Sequence, residues 1–94
     1  MRRNKDWAAQ LLVFIEENDA EGVGLTRQEL RRFFTEYQVS LGESASNLWD
    51  VVDYHLSLLE SGGFVTCKIY DEYEHDREAD DFMLTWAGHD LIGR

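Results

Sequence analysis

Residues 47–65 read NLWDVVDYHLSLLESGGFV, and the spacing inside this stretch sets the architecture. Leu48, Val52, His55, Leu56 and Leu59 fall at i, i+4, i+7, i+8 and i+11, one stripe of a 3.6-residue helix. Gly62-Gly63 follows where a left-handed cap ends a helix, and Phe64-Val65 opens a strand. The opposite stripe holds Asp50, Asp53, Ser57 and Glu60, with no lysine or arginine. His55 lies on the apolar side, so a hydrogen-bonded core histidine is expected there rather than a ligand.

Upstream, Thr26-Arg27-Gln28-Glu29 is a capping box, and Leu25 with Leu30 supplies the hydrophobic staple across it. The helix it opens is expected to bury Leu30, Phe33, Phe34 and Tyr37. An earlier helix starts behind Asp6 as N-cap, carries Trp7, Leu11, Phe14 and Ile15 on one face, and frays over residues 16–18. Residues 18–24, with Gly22 and Gly24, form a loop, and Val23 and Leu25 suit a short edge strand. After the turn at residues 39–43, Ser44 or Ser46 is the expected cap of the third helix.

Downstream, residues 64–70 and 82–86 each alternate as strands around the acidic run DEYEHDREADD, which reads as a hairpin with a long charged tip. Thr85 can cap a last short helix ending at Ile92, with Gly88 permitting close packing. The expected fold is a single α+β domain over residues 1–94: three helices, a two-stranded hairpin and a short C-terminal helix. Its expected core is Trp7, Leu11, Ile15, Leu30, Phe33, Phe34, Val52, Leu56, Leu59, Val65, Leu84 and Trp86.

Composition narrows the function. Nine Lys+Arg against nineteen Asp+Glu give a net charge of −10 in 94 residues. Such a surface repels nucleic acid and anionic membrane and favours basic partners. Cys67 is the single cysteine, so no intramolecular disulfide forms and a reducing cytoplasm is the natural setting. No apolar run approaches the roughly 20 residues of a membrane span. Cys67 alternates with Val65 and Ile69 and reads as a small hydrophobe rather than a nucleophile, and no catalytic motif is present. His75 among acidic neighbours lacks the EF-hand spacing, and Gly62-Gly63 ends a helix instead of opening a phosphate loop, so no metal and no cofactor is expected.

The block YHLSLLESGGFV, residues 54–65, is similar to the segment in which the third helix of winged helix-turn-helix regulators runs into the wing. The tail LTWAGHDL, residues 84–91, resembles the end of a family of small bacterial and phage proteins of unknown function. The resemblance implies a winged-helix fold and no established activity.

Winged-helix relatives generally bind DNA. This chain departs from them with Asp50 and Asp53 on helix 3 and with Asp71, Glu72, Glu74, Asp76 and Glu78 in the wing. The expected function is therefore a protein-binding regulator or inhibitor. Asp50, Asp53, Tyr54, Ser57, Glu60 and the wing carboxylates would imitate a phosphate track and engage a basic, nucleic-acid-binding protein. A phage-type inhibitor of a host nucleoprotein defence complex, anti-CRISPR-like, fits that surface by analogy. The alternative is a DNA-binding transcriptional regulator contacting the backbone through Arg2, Arg3, Lys5, Arg27, Arg31 and Arg32. A third reading is self-association, as a homodimer or scaffold, through Trp49 and Tyr54.

Overall fold

The computed structural model describes residues 1–44, 46–69 and 80–94. They build an α+β architecture of four helices and a three-stranded antiparallel sheet: α1 (Lys5–Asn18), β1 (Leu25–Thr26), α2 (Arg27–Ser40), α3 (Leu48–Ser61), β2 (Val65–Ile69), β3 (Asp80–Leu84) and α4 (Trp86–Ile92). The strand order is β1-β3-β2, with Leu25 and Cys67 both opposite Phe82 and Val65 opposite Leu84. The expected two-stranded hairpin is thus joined by an edge strand, which starts at Leu25 instead of Val23. Among the described residues, no helix is long and apolar enough to cross a membrane.

Local signals decide most helix ends. The Thr26 hydroxyl accepts from the Glu29 amide while the Glu29 carboxylate accepts from the Thr26 amide, the full capping box. At the end of α3, the Gly63 amide donates to Glu60 O and the Phe64 amide to Leu59 O, with Gly63 at φ +82. That double bond pattern is a Schellman motif, and it turns the chain into β2. Thr85 caps α4 through the Gly88 amide at 3.1 Å, and its hydroxyl also donates to Gly63 O at 2.6 Å. Gly88 is required for packing: a Cβ there would run into the Phe64 carbonyl oxygen.

Two caps differ from expectation. Asn4, not Asp6, caps α1, its Oδ1 accepting from the Asp6 and Trp7 amides. The reason is tertiary, because the Asn4 amide itself donates to His55 Nε2 at 2.9 Å. The same His55 donates from Nδ1 to Val51 O at 2.8 Å; a carbonyl can only accept, and this sets the tautomer. His55 is fully buried, the satisfied core histidine expected. Neither Ser44 nor Ser46 caps α3. The Ser46 amide bonds the Ser44 hydroxyl within the turn, and Asn47 enters the helix in a left-handed conformation without a side-chain cap.

The core joins Leu11, Leu12 and Ile15 of α1 to Leu30 and Phe34 of α2, to Val52, Leu56 and Leu59 of α3, and to Val65 and Phe82 of the sheet. The whole stripe read from residues 48–59 is buried. Trp7, Phe33 and Leu84 pack against that core only partly buried. Trp86 is a correction: it is 85% exposed. The alternation 82–84–86 breaks when β3 stops at Leu84, and Trp86 becomes the first residue of α4, facing solvent. Tyr37 is likewise 40% exposed, standing edge-on to Phe14, while Gln38 turns inward. The buried face of α2 follows Leu30, Phe34 and Gln38, a strict four-residue step.

Candidate partner-binding face

The outward side of α3 begins at Asp50, which is exposed in the first turn, and continues through Ser57 and Glu60, both exposed. Tyr54 is half-buried, its ring edge-to-face with His55 at 5.4 Å. Trp49 is 53% exposed, with the Arg31 guanidinium over its ring at 4.9 Å. Asp71, Glu72, Glu74, Asp76 and Glu78 lie outside the described residues.

Asp53 departs from the stripe of free carboxylates expected on this side of α3. Arg31 of α2 grips it with both arms, Nε to Oδ1 at 3.1 Å and Nη2 to Oδ2 at 2.6 Å. Arg27 adds an ion pair to Oδ1 at 3.1 Å. Arg27 also donates Nε and Nη2 to Asp80 Oδ2 at 3.0 and 2.8 Å, and its guanidinium lies over the Phe82 ring. Such forked, charge-assisted bonds are short and orientation-specific. Burial works to raise the Asp53 carboxyl, but the bonds from Arg31 and then Arg27 outweigh it and hold the group below its ordinary value. Burial likewise opposes the charge on Arg27, and the bonds from Asp80 and Asp53 reverse that, holding it above the usual arginine value.

One acidic candidate, Asp53, and two basic candidates, Arg27 and Arg31, drawn from competing readings, therefore meet at the α2–α3–β3 junction, where Asp80 balances the charge. Asp80 is the member that the sequence reading missed, having been grouped with the acidic tip. Its signal was available: Asp80 and Phe82 share strand parity, and both are buried. Asp19 was also missed. Its carboxylate accepts from the Val23 and Gly24 amides and shapes the loop leading into β1.

The remaining basic candidates do not gather. Arg32 is exposed over the Phe33 ring and lines a 540 Å³ groove with Trp49, beside the start of α3. Arg3 and Lys5 line a different groove with Leu58 and Gly62, at the far end of the same helix. Fourteen residues of helix separate these ends by roughly 20 Å. That exceeds the Debye length of about 8 Å at physiological salt, so the two groups present separate fields.

No protein-family model matches this chain, and no curated protein and no solved structure matches it either.

Proposed function

We propose that the chain is a small winged-helix protein of bacterial or phage type whose α3 face binds a basic protein partner, acting as a non-enzymatic regulator or inhibitor. The element order supports the winged-helix part: three helices with a short strand between the first two, then an antiparallel pair that the short strand joins. The negative character of the face rests on Asp50 and Glu60, which are exposed. The acidic residues between β2 and β3 in sequence add to the net negative charge of the chain. A partner that ordinarily holds nucleic acid would meet carboxylates where it expects phosphates, the chemistry of an anti-CRISPR-like DNA mimic.

One observation carries this reading over the DNA-binding alternative. Arg27 and Arg31, two of the three helix-2 cations that the DNA-binding reading assigns to the phosphate backbone, are engaged by Asp53 and Asp80. Releasing them to DNA would leave the half-buried Asp53 and the buried Asp80 carboxylates without their partners, which costs several kcal/mol.

The test pairs a gel shift on duplex DNA with a pull-down, both at about 0.15 M salt, where exposed charges are partly screened. The unmodified protein should not retard duplex. Asp50→Lys with Glu60→Lys should lose the captured basic protein, whereas Arg2→Glu, Arg3→Glu and Lys5→Glu together should retain it. Tight duplex binding that the arginine and lysine reversals abolish would overturn the proposal.

A further inference from the structure

The start of α1, the end of α3 with the following Phe64, and α4 line a groove of 620 Å³. We propose that this groove receives an acidic amphipathic segment of another protein, an aliphatic or aromatic stripe flanked by carboxylates. The proposal does not depend on the α3 face. Its floor is apolar: Leu58 and Phe64 are half-buried, Leu59 is buried beneath them, and Leu91 at the rim is 53% exposed. α4 spans only seven residues and leaves this floor open. An apolar floor between helices is the geometry that accepts one face of an amphipathic helix.

The edge decides the chemistry of the occupant. Arg3 and Lys5 line the groove and are exposed, with Arg2 exposed beside them. Among the described residues, Asp6 is the one carboxylate that lines the same groove. Among the described residues, Arg3 and Lys5 make no ion pair, whereas Arg27, Arg31 and Arg94 all do. The local cationic edge of Arg3 and Lys5 beside an apolar floor complements an apolar segment bearing carboxylates, against the overall negative charge of the chain. Phosphate backbone would gain the cations but nothing from the floor. A flat anionic membrane would reach the exposed cations but not a floor that lies between the start of α1, the end of α3 and α4.

The experiment is fluorescence anisotropy on the full chain with labelled synthetic helices of about 15 residues. One set carries Leu and Phe on one face with flanking Glu, a second has Lys for Glu, and a third has Ser for Leu and Phe. Only the first set should bind. Leu91→Glu should weaken it at least about tenfold, because it sets a carboxylate against the apolar stripe. Arg3→Glu with Lys5→Glu should weaken it comparably at low salt and less at about 1 M, where screening removes the charge contribution. All three positions are exposed, and unchanged thermal melting of the variants confirms that the fold survives. No binding across the first set, equal binding of the lysine set, or unweakened binding by the Leu91→Glu variant would overturn the proposal. So would duplex DNA, anionic vesicles or a second copy of this chain competing for the groove more tightly than the acidic helices. Duplex binding lost only in the Arg3/Lys5 variant would likewise overturn it, in favour of the DNA-binding reading.

Discussion

The Thr26 hydroxyl accepts the Glu29 amide at 3.1 Å, and the Glu29 carboxylate returns a bond to the Thr26 amide at 2.9 Å. Thr26→Ala removes the first of these and leaves an orphan donor at the start of α2. The expected loss is about 1 kcal/mol, read from urea unfolding. Gly88 poses the opposite problem, because its position has no room for a methyl group against the Phe64 carbonyl. Gly88→Ala should cost about 1–3 kcal/mol, as overpacked sites do, with α4 lifted from the hairpin. A stability within about 0.5 kcal/mol of the unmodified chain would refute that close approach. Both residues were legible in the sequence, Thr26 through its box and Gly88 through its place one turn after a capping threonine. Trp86 was not, because its orientation depends on where β3 yields to α4.

At the scale of elements, the decisive feature is the ion cluster that ties α2 to α3 and β3. Asp53 sits in it with its carboxyl held below the ordinary value of 3.8. Folding therefore favours the charged form, and the contribution is complete above that ordinary value. It is lost as pH falls through the depressed value of the folded state. Unfolding midpoints in urea should consequently drop more steeply between about pH 5 and pH 2 for the unmodified chain than for Asp53→Asn, which has no proton to take up there. Parallel pH profiles for the two proteins would show that the Asp53 charge contributes nothing to folding. The sequence places Arg27 and Arg31 one helical turn apart on α2, but nothing local tells that Asp53 lies opposite. The bonds span 22 and 53 residues of chain, and only the packing of α2 across α3 and β3 closes them.

For the whole molecule, charge distribution is the property most open to test. Asp50 and Glu60 are exposed, so Asp50→Lys with Glu60→Lys should change stability by no more than about 0.5 kcal/mol. Each reversal removes one negative charge and adds one positive charge, which takes the net charge from −10 to −6. Partner capture should fall sharply despite the intact fold, because complementary charges govern association rate and specificity. Asp53 is unsuitable for the same experiment. Asp53→Lys would set an ammonium against Arg27 and Arg31 and destabilise the junction, so lost binding would not distinguish a surface effect from unfolding.

What the sequence by itself determined is whatever depends on neighbours a few residues apart. The buried stripe of α3, the capping box of α2, the glycine stop after Ser61 and the Thr85 cap all rest on i, i+3 and i+4 geometry, which repeats along any helix. Composition likewise set the sign of the surface without reference to shape. The tertiary structure alone decided which carboxylates are free, since a carboxylate is a surface charge or a staple according to what packs opposite it. It also chose Asn4 over Asp6 as a cap through His55, 51 residues away. And it brought Arg3 and Lys5 beside Leu58, Phe64 and Leu91, because a groove belongs to three elements at once and to none of their local sequences.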